Sequence, residues 1–228
     1  MSLLLATSGA QAALVLDSAT RLIRATAGPL ASGDVTVSSS AGGVFDEQRT
    51  RDSGDARGRG NQNTDLEVQT DSLVLEGSGF GLARRNVGNN IVTQVRGVSR
   101  VDLVLTVDES VPWSLSGDFE LSGEGTGSVL FEEVGGPELL SSSTAGAFSG
   151  SGTLAAGQYH FFLQGRATRT SRDEAYRDLG SWNVAFAINH SDAEPMPEPE
   201  TAALLFVGIG VMSLVRHFRR RPDGSRVD

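Results

Sequence analysis

Hydrophobic and polar residues alternate with a period of two along most of the chain's middle, the mark of half-buried strands. In the run RVDLVLTVDES, Val101, Leu103, Leu105 and Val107 face one way. In SWNVAFAINH, Trp182, Val184, Phe186 and Ile188 do the same, while Asn183 and Asn189 look to solvent. The pattern predicts further strands at Leu66 to Leu75, Trp113 to Leu115, Asp118 to Leu121, Ser128 to Glu132 and Gln158 to Thr168. Turn chemistry separates them at Ser116-Gly117, Gly135-Gly136-Pro137 and Ala156-Gly157. Many short strands so punctuated, with no helical periodicity between them, predict an all-β, antiparallel β-sandwich or jelly-roll-like body rather than βαβ units.

One internal stretch breaks the alternation. Asp46 to Asp65, DEQRTRDSGDARGRGNQNTD, carries no apolar anchor. A segment that buries so little cannot offset its ordering entropy, so it reads as a mobile surface loop.

The two ends follow a different grammar. At the amino end, Leu3 to Ala6 is apolar and the triplet Ala10-Gln11-Ala12 offers the small side chains a signal peptidase needs, so residues 1–12 read as a signal peptide cleaved before Ala13. The basic n-region is missing and the apolar core is short, so an amino-terminal strand carrying the triplet by chance stays open. At the carboxyl end the sequence EPMPEPETAALLFVGIGVMSLVRHFRRR runs from Glu194 to Arg221. Its apolar part, Ala202 to Val215, would reach about 21 Å as a helix, against about 30 Å of bilayer hydrocarbon. Phe218 extends the apolar surface and Arg216 can snorkel toward head groups, so residues 202–218 are expected to form one transmembrane helix. Ala202, Leu204, Leu205, Phe206, Val207, Ile209, Val211, Leu214 and Val215 would meet lipid, and Arg216, Arg219, Arg220 and Arg221 would stop transfer. A buried core helix of similar length is the rival reading. Against it, the run has no polar face, contains Gly208 and Gly210, and is bracketed by acid and base.

The order Pro197-Glu198-Pro199, apolar run, arginine cluster resembles the PEP-CTERM sorting signal of exported bacterial proteins. The resemblance covers some 25 residues, and its departures are Glu200, His217 and the extension Pro222 to Asp228. It implies recognition by an exosortase, a membrane protease-transpeptidase that removes the anchor and passes the protein to the cell surface or matrix. The prolines suit that use, because Pro197 and Pro199 fix φ and hold the segment extended where a protease needs it. The loosely similar element SGTLAAGQYHFFLQGRA, Ser151 to Ala167, also resembles a strand-turn-strand unit of such ectodomains. The implied organisation is 1–12 signal, 13–192 sandwich ectodomain, 193–201 Pro/Glu linker, 202–218 membrane helix and 219–228 basic tail. The implied role is structural or adhesive, in an exopolysaccharide or biofilm matrix, with the anchor either transient or permanent.

Composition narrows the rest. The chain has 228 residues and a net charge of −9, and all 19 of its basic residues are arginine. An acidic surface repels phosphate chains, so nucleic acid is not an expected partner. Zero cysteines remove disulfides, thiolate metal sites and cysteine nucleophiles together. The three histidines, His160, His190 and His217, form no metal-ligand spacing, and no Gly-x-Ser-x-Gly elbow precedes a helix. No catalytic residue, metal site or cofactor is therefore expected. A surface carbohydrate-binding module or carbohydrate-active enzyme is the alternative. It would need Trp113, Trp182 and Tyr159 exposed as a stacking platform, or a carboxylate pair drawn from Asp118, Glu120, Glu132 and Glu133.

Overall fold

Twelve strands and no helix make up the described residues of the computed structural model, which are 13–29, 34–86, 92–172 and 174–189. In chain order they are β1 (Leu14–Gly28), β2 (Val35–Ser39), β3 (Gly43–Ser53), β4 (Ala56–Val68), β5 (Ser72–Arg85) and β6 (Thr93–Val107). There follow β7 (Val111–Ser122), β8 (Thr126–Glu133), β9 (Glu138–Ser142), β10 (Gly146–Leu154), β11 (Gly157–Ser171) and β12 (Tyr176–Asn189). The first sheet has the order β2-β1-β6-β11-β8-β9 and the second β10-β7-β12-β5-β4-β3. Every pairing is antiparallel. The all-β antiparallel sandwich expected from the alternation is what forms. The signal segment 1–12, Pro197-Glu198-Pro199, the apolar run 202–218 and Arg219 to Arg221 lie outside the described residues.

Large inward-facing side chains give way to glycine part-way along the strands, and that gradient sets the spacing of the sheets. On β6 they run Val107, Leu105, Leu103, Val101, then Ser99 and Gly97, with Val95 and Thr93 beyond; on β12 they run Ile188, Phe186, Val184, Trp182, then Gly180, with Asp178 and Tyr176 beyond. At the large end an aromatic cluster fills the gap. Phe131 packs edge-on against Trp113 at 4.9 Å and Phe186 at 5.1 Å, while Phe161 and Phe186 stack at 4.7 Å.

At the small end the sheets meet backbone to backbone. A Cβ added to Gly60 on β4 would lie 2.6 Å from the Val98 carbonyl oxygen on β6, and one on Gly180 would lie 2.6 Å from that of Arg166 on β11. Gly58, Gly81, Gly97 and Gly165 face the opposite sheet under the same constraint. Sandwiches ordinarily hold their sheets about 10 Å apart, a distance that only vanishing side chains can close.

This close approach corrects the loop expected at Asp46 to Asp65. The segment is a hairpin, with Asp46 opposite Asn63 and Ser53 opposite Ala56, closed at Gly54 with φ of 58°. No apolar anchor is needed where the facing sheet is in backbone contact. The inward Gln62 and Thr64 are fully buried but bond to one another at 3.2 Å, and Ser99 Oγ donates to Gln62 Oε1 at 3.4 Å. Strand β3, at the edge, carries charges of both signs, which discourages edge-to-edge pairing.

Two further boundaries differ from expectation. Ser116-Gly117 is no turn but the middle of β7, which joins the two short strands expected there; a Cβ on Gly117 would strike the Phe148 ring. Leu66 to Leu75 is split between β4 and β5 by a turn in which Gln69 N–H donates to the Ser72 carbonyl at 2.8 Å. The turns at Gly135-Gly136-Pro137 and Ala156-Gly157 stand where expected, between β8 and β9 and between β10 and β11.

Candidate functional site

The aromatic platform does not form. Trp113, Tyr159 and Trp182 all point into the core, where Trp182 is 2% exposed and its Nε1–H donates to the Ser99 carbonyl at 3.4 Å. The Tyr159 hydroxyl donates to the Ala155 carbonyl at 2.9 Å, and burial pushes its phenol above the usual range. Core packing, the reading that alternation favoured for Trp182, therefore accounts for these rings.

The carboxylates do not converge either. Asp118 and Glu120 lie on the outer face of the second sheet, because their neighbour Phe119 is buried between the sheets. Glu132 lies on the outer face of the first sheet, next to buried Phe131. Two layers of backbone separate Glu132 from Asp118 and Glu120, so no scissile bond could sit between them, and Glu133 faces the other way, toward Gly157 and Tyr159. Asp118 instead accepts a hydrogen bond from the Asn183 amide.

His160 is bracketed on the outer face of β11. Its Nε2 lies 3.1 Å from Asp102 Oδ1 and its Nδ1 lies 3.3 Å from Glu132 Oε1. With both nitrogens engaged by carboxylates, neither is left for a serine hydroxyl, and two acids on opposite sides of one ring cannot share a metal. No group of three or more metal-competent side chains converges among the described residues.

Beyond the glycines a buried polar network lies beside a small apolar cluster of Ala56, Ala83, Val95, Ala167 and Tyr176. Arg85 is fully enclosed, with Nε 3.1 Å from Asp55 Oδ2 and its guanidinium donating to the Ser171 carbonyl at 2.8 Å. The Tyr176 ring lies under the Arg169 guanidinium at 4.9 Å. Burial pushes the Tyr176 phenol up to about 12, with Arg85 opposing and Asp178 assisting. At the other rim Arg21, in an inward slot of β1, donates to the carbonyls of Gly43 at 2.5 Å, Thr64 at 3.4 Å and Ala41, over the ring of Phe45. Desolvation lowers its pKa and Asp65 works against that. Both networks bind side chain to backbone, which is structural work that fastens strand ends.

Four arginines gather on the outer face of the first sheet. Gly97 faces inward, so Arg96, Val98 and Arg100 on β6 face out. Arg24 on β1 and Arg166 on β11 are the register partners of Val98 on either side. Val98 is only 2% exposed although it points away from the core, and these four side chains surround it. The signal lay in QVRGVSRVD, whose outward positions alternate with the core, but the flanking arginines come from strands remote in sequence.

No family model matches the chain and no curated protein does. Among solved structures, Clostridium perfringens delta-toxin aligns at 8% identity over 62% of this chain and 80% of that one, with a TM-score of 0.12. That value is too low to carry any argument about fold or activity.

Proposed function

We propose that this is an exported bacterial surface or matrix protein whose sandwich is delivered by a carboxyl-terminal sorting handle. In this reading Pro197-Glu198-Pro199 is the recognition motif, residues 202–218 form the transmembrane helix, and Arg216 with Arg219 to Arg221 hold the end in the cytoplasm. An exosortase-like membrane protease-transpeptidase recognises the motif, and the bilayer is a transient partner. The body then serves a structural or adhesive role beside exopolysaccharide.

The observation that carries the reading is the order and spacing in the sequence of Pro197-Glu198-Pro199, the apolar run and the arginine cluster Arg219 to Arg221.

The test is fractionation of the native host expressing wild type and the double variant Pro197→Ala/Glu198→Ala. Wild type is expected at the cell surface or in the medium, and the variant in the inner membrane. Identical distributions would remove the motif from the account.

A further inference from the structure

We propose that the outer face of the first sheet, centred on Val98 and framed by Arg24, Arg96, Arg100 and Arg166, binds a carboxylated polysaccharide. The frame follows from register. Arg96 and Arg100 stand four residues apart on β6, about 13 Å along the strand, and Arg24 and Arg166 stand two strand spacings apart, about 10 Å across it. All four are half-buried.

Concentrating like charge is costly unless something answers it, and here little does. Desolvation lowers the Arg96 pKa, and Arg166, Arg24 and Arg100 lower it further in that order. The Nε atoms of Arg24, Arg96 and Arg100 are shielded from solvent and have no hydrogen-bond partner among the described residues. Two carboxylates adjoin the frame: Asp34 pairs with Arg24 and also accepts from Thr26, while Asp102 is held by His160. Arg166 donates from Nε to Thr168 Oγ1 at 2.9 Å. Arg96 and Arg100 take part in no ion pair among the described residues, which leaves a net positive patch on a protein of net charge −9.

Guanidinium forks match planar carboxylates bidentately, and four forks spread over about 10 Å suit a chain that repeats its acids rather than one small anion. Between and beside the arginines the sheet presents Gln94, Gln164 and Thr168, which suit sugar hydroxyls. Phe162, half-buried on the same face, offers a ring for a pyranose to cover. The choice of a glycan over other polyanions rests on the matrix reading above; the anion site itself rests on the arginines.

Binding is measured with the full-length chain in neutral detergent, against polygalacturonate, neutral dextran and a DNA duplex, over a salt series. Polygalacturonate is expected to bind, weakening as salt rises, while dextran and DNA do not. Arg100→Gln/Arg166→Gln is expected to lose at least about tenfold in affinity, removing two charge-assisted contacts. Arg57→Gln, on the exposed β3–β4 hairpin, is expected to bind as wild type does. Single variants Arg100→Gln and Arg166→Gln, each with an unchanged melting temperature, stand in if the double variant does not fold. Absence of polygalacturonate binding, or binding unaffected by the arginine substitutions, overturns the site. Equal binding of DNA overturns the glycan assignment and leaves an unselective anion patch. Since none of these readouts involves Pro197 to Pro199, failure here is separable from failure of the sorting reading.

Discussion

Gly97→Val is expected to leave no folded protein, and Gly97→Ala to lose about 3 kcal/mol or more of stability. A Cβ at position 97 would lie 2.6 Å from the Leu82 carbonyl oxygen, and nearer still to Leu82 N and the Arg59 carbonyl. All three are backbone atoms of strands held on both sides by ladder hydrogen bonds, so no rotamer change can relieve the clash. Overpacking a core where side chains can yield costs about 1–3 kcal/mol. Here two sheets would have to separate, and valine adds two methyl groups to the same contact. Against a total of about 5–15 kcal/mol for a domain, that is enough to unfold it. Gly157→Ala is the control, because its Cβ would meet nothing nearer than Glu133 Oε1 at 3.4 Å, and it should stay within about 0.5 kcal/mol. Urea titration of the three variants measures the series. Wild-type stability in Gly97→Ala would show that the sheets are not in backbone contact.

At the opposite end of the gradient the sign of the problem reverses, from too little room to too much. Phe131→Ala is expected to cost about 3–5 kcal/mol, the range for emptying a buried aromatic site. Phe131 is fully buried on β8, and its ring neighbours come from both sheets: Trp113 and Phe186 from the second, Tyr159 and Phe161 from the first. Losing it opens a cavity that no single strand can close. Phe131→Leu, which refills most of the volume, should cost less. Trp113, edge-on to the missing ring, should report the change in its fluorescence. A loss below about 1 kcal/mol for the alanine variant would mean that the aromatic cluster does not join the sheets.

The same gradient explains what the sequence made legible. Strands β6, β8, β11 and β12 announced themselves because residues such as Leu103, Phe131, Phe161 and Phe186 fill inward positions with large apolar groups. Strand β4 stayed hidden because its inward positions include Gly58, Gly60, Gln62 and Thr64, which bury backbone or polar groups instead of hydrocarbon, and its edge partner β3 carries mostly charged and polar residues. In β1, Arg21 occupies an inward slot and breaks the alternation that Ile23, Ala25 and Ala27 continue. Glycine carried two opposite meanings: Gly157 opens a strand after a turn, whereas Gly117 yields space to Phe148 inside one. The arginine frame shared that fate. Arg96 and Arg100 are visible in one strand, but only the register of β1 and β11 brings Arg24 and Arg166 to the same point. The sorting motif, by contrast, is read from order and spacing alone and owes nothing to the sheets.

The sorting reading meets its most direct test in the intact mass of the mature protein, recovered from the surface of its native host. The account predicts a chain that ends close to Pro199, without residues 202–218 and without the arginines that follow. A mature mass that still includes the apolar run and extends to Asp228 would contradict it.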